Sequence, residues 1–190
     1  VTELNQPFGT MDCIAAESAI TALRFEFSRQ YAVTELEKKF QNDIIHNILN
    51  GKIHSMGELQ KNTSLLGVDI NGSYRVIVFG MTNESMARGD FKAKVKDIDV
   101  LSDLIRSRIS KAKIHNDLDK IVVIQEVERE QTQEEYRKSI KKIAEQVQAD
   151  VARYNKYLKI KAGAGRVVDG IINLPESFKE ANEAFMFVDV

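Results

Sequence analysis

Apolar residues recur at helical spacing over long stretches of this chain. Between Thr10 and Asn50 there is no glycine or proline, and Gly51 stands where a helix would stop. The sequence therefore predicts a single helix of about 40 residues, far longer than the usual 11–12 or so. Such a helix needs a partner helix, another domain, or both, to cover its apolar residues.

The two halves of this helix have different apolar patterns. The first half carries a heptad seam, with steps of three and four residues, at Cys13, Ala16, Ile20, Leu23 and Phe27. The second half carries a broader stripe, suited to packing on a globular body, at Val33, Leu36, Phe40, Ile44, Ile45, Ile48 and Leu49. Because no later segment clearly covers the seam, we predict a homodimer with Ile20, Leu23 and Phe27 as the candidate interface. The alternative is that a preceding domain in a longer protein covers this seam.

Beyond Gly51 the pattern alternates between helices and apolar strands. The predicted elements are a short helix from Ser55 to Leu66, a strand from Tyr74 to Phe79, a loop from Thr82 to Lys94, a helix from Lys94 to Lys111, a strand from Ile121 to Val127, a helix from Tyr136 to Leu158, a strand from Leu158 to Gly165, and a helix beginning at Pro175. This order predicts an α/β (α+β) fold with a central mixed β-sheet flanked by helices. Gly163 and Gly165 predict a place where a neighbouring backbone or a packed helix approaches the last strand closely.

Several segments resemble the PucR/CdaR-type bacterial transcription regulators. They are Asn42 to Lys52, the Leu-Gly-Val turn at Leu66 to Val68, the Tyr74-Arg75 pair that begins a strand, and the strand, glycine turn and Ser-Phe-Lys-Glu-Ala helix from Leu158 to Phe187. The resemblance covers roughly Phe40 to Phe187 in the correct order. It implies a linker and dimerisation helix at 1–52 and a degenerate GGDEF-like, nucleotide-cyclase-like domain at 53–190. The resemblance further implies that the helix-turn-helix region of these regulators is absent here, so that DNA is bound only through that missing region.

The residues at the cyclase positions differ from those of an active enzyme. A diguanylate cyclase carries Gly-Gly-Asp/Glu-Glu-Phe on a hairpin turn, where the glycines admit substrate and the acids serve metal-assisted chemistry. The corresponding turn here, Ile114 to Lys120, has no glycine pair, and Asp117 and Asp119 are interpreted as solvated turn residues. Gly80 and Met81 stand where an active cyclase places a metal-binding acid. We therefore expect no enzyme activity, no catalytic residues, no cofactor and no metal.

Three other motifs are interpreted as structural or solvated. Arg166 to Asp169 matches an Arg-x-x-Asp product-binding pattern but follows the last clear strand, so we expect a surface loop. The histidines are scattered without ligand spacing, at His46, His54 and His115. A basic run lies opposite the apolar stripe of its helix and is interpreted as a solvated face, with nucleic-acid binding as the minor alternative, at Arg137, Lys138, Lys141 and Lys142.

Composition adds limits without naming a function. The net charge of −1 gives no general attraction to nucleic acid or membrane, and the single cysteine, Cys13, suits a reducing cytosol. No apolar run reaches the roughly 18 residues of a membrane span. We expect a cytoplasmic protein that does not enter a membrane. The chain begins at Val1 and stops at Val190 within an unfinished element, so we also expect a fragment, truncated at the C-terminus of the domain.

Together these observations favour a non-catalytic regulatory and dimerisation module of a bacterial transcription regulator. An alternative is a binding module that keeps a nucleotide or small-molecule pocket at the old cyclase site, with an unknown effector. An active nucleotide cyclase ranks below both, because the acids and glycines are missing.

Overall fold

The computed structural model describes residues 9–53, 55–81, 91–109, 111–117, 120–128 and 132–187. The helices are α1 (Thr10–Leu49), α2 (Met56–Leu66), α3 (Phe91–Arg108), α4 (Gln133–Tyr154) and α5 (Leu174–Phe187). The strands are β1 (Ser73–Met81), β2 (Ala112–Asp117), β3 (Lys120–Glu126), β4 (Ile160–Ala164) and β5 (Val168–Asp169), and a 3-10 turn, Ile171–Asn173, precedes α5.

The strands form one sheet in the order β2-β3-β1-β4, and the short β5 also pairs with β1. Helix α3 joins β1 to β2 with β3 between them, and α4 joins β3 to β4 with β1 between them. These interleaved crossovers place antiparallel strands side by side. The expected fold class is confirmed: a long N-terminal helix precedes an α+β domain with a central sheet flanked by helices. The sequence predicted a mixed sheet, but every strand pair among the described residues is antiparallel.

Several elements differ from the sequence prediction: α4 ends at Tyr154 instead of Leu158, β4 begins at Ile160 instead of Leu158, and β5 was not predicted. Strand β2 occupies Ala112–Asp117, where the sequence predicted mostly turn, and α3 begins at Phe91 instead of after a loop that reached Lys94. The β2 sequence is short and polar, but its side chains alternate between the two faces of the sheet. Ala112 and Ile114 pack with one apolar cluster, whereas His115 is buried on the other face. Pairing with β3 stabilises a strand that its own residues specify only weakly.

The sheet buries apolar residues on both faces. One cluster joins Val76 and Val78 of β1 to α2, to α5 and to the last turns of α1; the other joins Ile77 and Phe79 to α3 and α4. Strand β1 is therefore buried along its whole length, which explains its nearly continuous apolar run. Helices α1 and α2 are followed by left-handed glycines, Gly51 and Gly67, at the positions where the sequence predicted helix ends.

Helix α5 packs directly on β4 and on the residues just after it, which is one of the two kinds of close approach that the glycines allowed. A Cβ atom on Gly163 would lie 2.7 Å from Cα of Phe185, and one on Gly165 would lie 2.7 Å from the Ser177 carbonyl carbon. Both distances are well below the ~3.5–4.0 Å of an ordinary carbon contact. Glycine is thus required here so that the helix backbone can approach the strand.

The contacts divide the chain into two compact units, one ending at Gln41 and the other beginning at Asn42. The second unit starts upstream of the boundary at 52/53 that we set from the sequence. It does so because Ile44, Ile45, Ile48 and Leu49 are buried in the core of the sheet domain. No helix among the described residues is both long and apolar enough to cross a membrane.

Candidate functional site

The candidate dimer interface lies on the exposed part of α1. The exposed fractions of Ile20, Leu23 and Phe27 are 49%, 56% and 66%. The lone Cys13 is also exposed and lies at the same heptad spacing. Other large side chains of α1 are exposed as well, including three from the broader stripe predicted for its second half: Phe25, Val33, Leu36 and Phe40.

At the cyclase position, β1 up to Met81 and the hairpin residues up to Asp117 and from Lys120 bring together no cluster of acids. Strand β1 ends at Gly80 and Met81, and Met81 is buried. Asp117 is exposed at the end of β2 and pairs in register with Lys120 across the hairpin. Asp119 lies outside the described residues. Within the described part of the chain, no three His, Cys, Asp or Glu side chains are grouped in a way that could hold a metal ion.

A cavity lies at the other end of the sheet, where the edge of β1 is interrupted. Strand β4 pairs with β1 up to Ile77, and β5 rejoins β1 at Tyr74. Between them, the carbonyl of Val76 accepts from the Gly165 amide (3.0 Å), and the Val76 amide donates to Ser177 Oγ (2.9 Å). The segment at 165–167 therefore leaves the strand. The cavity that it borders has a volume of about 350 Å³ and is lined by Arg75, Tyr136, Arg137, Ile140, Ala164, Gly165, Arg166 and Val167.

Arg75 is the buried charged group of this cavity, which we call the Arg75 pocket. Its side chain has only 2% exposure. Its Nε and Nη2 atoms donate to Gln125 Oε1 (2.9 and 2.7 Å), and Nη2 also donates to Ser139 Oγ (3.3 Å). The Tyr136 ring lies 5.5 Å from the guanidinium carbon. Burial lowers the pKa of Arg75, although a guanidinium remains charged at neutral pH.

The two other arginines of the pocket have different surroundings. Arg166 forms ion pairs with Glu176 and Glu180, which raise the pKa of Arg166, the Glu176 hydrogen bond most strongly. Arg137 is exposed, and no described residue forms an ion pair with it. The other half of the Arg-x-x-Asp pattern, Asp169, lies in β5 and accepts from Ser73 Oγ (2.6 Å), so only Arg166 lies in the expected loop.

Two of the three histidines are neighbours, contrary to the scattered arrangement expected from the sequence. The ring centroids of His46 and His115 are 5.9 Å apart, and His115 Nδ1 lies 3.4 Å from Asn42 Oδ1. Burial lowers the pKa of His115, and Asp117 opposes this effect. The pair is brought together by packing of α1 against β2, a strand that we did not predict. His54 lies outside the described residues.

Arg75 is a site residue that we did not predict from the sequence. The signal was available, because Arg75 is the one charged residue in the apolar run from Tyr74 to Phe79. A charge within a buried strand requires partners, which points to a polar cavity or network. The partner, Gln125, lies directly opposite Arg75 in the neighbouring strand, and this pairing is visible only in the structure.

The β-α-β-β-α-β order with interleaved crossovers defines an α+β domain of the ferredoxin-like type, here preceded by a long helix. The family model of the GGDEF-like domain matches residues 50–186, so the chain belongs to the GGDEF-like domain family. A search of the curated proteins and a search of the solved structures gave no significant match.

Proposed function

We propose that this chain is a non-catalytic regulatory and dimerisation module of a bacterial transcription regulator of the PucR/CdaR type. The observation that carries the proposal is the exposed apolar face of α1 formed by Ile20, Leu23 and Phe27. The same helix ends among the core residues Ile44 and Leu49 of the GGDEF-like domain. Because the last turns of α1 belong to the core of the domain, pairing of two α1 helices would involve an element of that core.

The cyclase position supports a non-catalytic role. Metal-assisted phosphoryl chemistry requires acids that hold the ions and a backbone that admits the nucleotide. The end of β1 offers Gly80 and Met81, and the hairpin sequence from Asn116 to Lys120 has no glycine. Asp117 and Asp119 are the acids of that hairpin, and neither is accompanied by an acid at the end of β1.

The magnitude of helix pairing follows from the exposure of the three side chains. Complete burial of a large apolar side chain is worth roughly 1.5–3 kcal/mol. Because Ile20, Leu23 and Phe27 have about half of their surface exposed, each contributes about 1 kcal/mol per copy when it becomes covered. A two-fold pair doubles this contribution, which suits a homodimer.

Sedimentation equilibrium of the wild type and of a Leu23→Asp, Phe27→Asp variant tests the proposal. Four half-exposed side chains are lost from the pair, so dissociation should become easier by about 4 kcal/mol, or roughly a thousand-fold in Kd. The matched control is Phe25→Asp, Leu36→Asp, which places the same charges on the opposite side of α1 at residues with 73% and 67% exposure.

We expect a wild-type dimer at tens of micromolar, a monomeric Leu23, Phe27 variant and a control that remains dimeric. A monomeric wild type would contradict the proposal. Equal dissociation of both variants would show that the Ile20, Leu23, Phe27 face is not the specific interface.

A second candidate is a small-molecule binding module, and the Arg75 pocket favours it. This pocket is at the opposite end of β1 from the hairpin, since Arg75 is near the start of the strand and Gly80 pairs with Lys120 at its end. A ligand there would bind away from the cyclase position, where the alternative drawn from the sequence placed the ligand pocket.

A further inference from the structure

The charge of Arg75 lacks a carboxylate partner among the described residues. Its Nη1 atom is buried and has no hydrogen-bond partner there, although Gln125 and Ser139 satisfy donors on the other side of the guanidinium. Leaving a buried donor unsatisfied costs about 1–3 kcal/mol, and more when the group is charged. A neutral amide and a hydroxyl do not neutralise the cation. Among the described residues nothing supplies a countercharge, and an anion beside Nη1 would supply one.

The rest of the pocket indicates what kind of anion fits. Arg137 on the rim adds a second positive charge, whereas Arg166 is already neutralised by Glu176 and Glu180. Apolar side chains form another part of the lining, from Ile140, Ala164 and Val167. The volume of about 350 Å³ lies at the small end of the ~300–1,000 Å³ range of ligand pockets. A single carboxylate matches the one uncompensated buried charge.

We propose that the Arg75 pocket binds a small organic carboxylate, with the carboxylate on Arg75 and Arg137 and the apolar part against Ile140 and Val167. The Tyr136 ring lies next to the guanidinium of Arg75, and its hydroxyl donates to the carbonyl of Glu128 (2.9 Å). Nη1 itself is shielded from solvent, so a carboxylate can reach it only when neighbouring side chains shift. Tyr136 lies near the start of α4, and a shift of its ring would couple ligand binding to that helix.

Titration of the full chain with sodium benzoate, followed by backbone amide NMR at constant ionic strength, tests the site. Benzamide is the matched neutral ligand, and inorganic phosphate is the second anion. We expect benzoate to shift the amides of Gly165, Val167 and Arg137, and benzamide to bind at least about ten-fold more weakly, since one charge-assisted contact is worth ~1.5–3 kcal/mol.

Variants at the two exposed arginines provide a comparison that does not disturb the core. Arg137→Gln should weaken benzoate binding by about ten-fold, whereas Arg166→Gln should change it less than two-fold or so, because the charge of Arg166 is already paired. The double variant Arg75→Met, Gln125→Leu replaces both members of the buried polar pair by apolar side chains, a kind of exchange that often preserves folding. It should abolish the benzoate shifts.

Several results would overturn the proposal. They include equal binding of benzoate and benzamide, shifts confined to residues outside the pocket, and equal losses in the Arg137 and Arg166 variants. Binding of phosphate at the pocket without binding of benzoate would refute a carboxylate ligand and assign a phosphate group instead. Because none of these readouts depends on the oligomeric state, failure here is distinguishable from failure of the dimer proposal.

Discussion

Replacement of Gly163 by alanine tests the packing of α5 on the sheet. The added Cβ atom would lie 2.7 Å from Cα of Phe185 and still closer to its amide nitrogen and to the Ala181 carbonyl oxygen. These are backbone atoms of α5, so no side chain can rotate away. Helix and strand must separate by roughly 1 Å to restore an ordinary contact of ~3.5–4.0 Å.

The cost of this separation can be estimated from overpacked cores. Extra carbon in a well-packed interior costs about 1–3 kcal/mol, and we expect the upper end because both sides of the contact are backbone. A loss of ~3 kcal/mol lowers the melting temperature of a chain of this size by about 6–12 °C. Urea unfolding, followed by near-ultraviolet circular dichroism, should show a lower midpoint with an unchanged slope.

Gly57→Ala is the matched control for this experiment. A Cβ atom on Gly57 meets nothing within 4 Å, and Gly57 lies in α2. Alanine there should leave stability unchanged or raise it by up to ~1 kcal/mol, since alanine is the better helix former. If Gly163→Ala unfolds at the same urea midpoint as the wild type, the claim that α5 packs closely on β4 at this position is contradicted.

Three further predictions concern pH, helix pairing and DNA. Burial lowers the pKa of His115, with Asp117 and Asp43 opposing this effect and His46 adding to it, so the unfolded state takes up the proton first. The free energy of unfolding should therefore fall as the pH drops below about 6.5. His115→Gln should reduce this dependence of stability on pH, as measured by urea unfolding at a series of pH values. A parallel pair of α1 helices places Cys13 opposite its copy, so mild oxidation should give a disulfide-linked dimer in the wild type and much less in Leu23→Asp, Phe27→Asp; equal yields would argue against the seam. With a net charge of −1, the chain should bind DNA only weakly and in a salt-sensitive way, and a sequence-selective mobility shift at physiological salt would refute this.

The elements that the sequence predicted are those encoded by local rules. Gly51 and Gly67 marked helix ends because only a left-handed residue fits there. Gly163 and Gly165 marked a close approach of another element, which is helix α5, because any side chain there would clash. Strand β2 was missed because its polar residues form a strand only when β3 pairs with them.

The Arg75 pocket could not be predicted from the sequence for the same reason as β2: it depends on contacts between residues far apart in the chain. It exists because the chain at 165–167 leaves β1 between two paired strands, while Ser177 of α5 takes over the Val76 amide. Neither the interruption nor the packing of Tyr136 against Arg75 is encoded near position 75. The unusual charge in an apolar strand was the only local trace of the pocket.

The most direct test of the proposal that this GGDEF-like domain is non-catalytic is a turnover assay with GTP and ATP in the presence of Mg²⁺ or Mn²⁺. Because the hairpin lacks a glycine pair and β1 ends at Gly80 and Met81, we predict no cyclised nucleotide above a protein-free control. The decisive comparison is with the Asp117→Ala, Asp119→Ala variant. Product formed by the wild type and lost in this variant would contradict the prediction and assign catalysis to the hairpin.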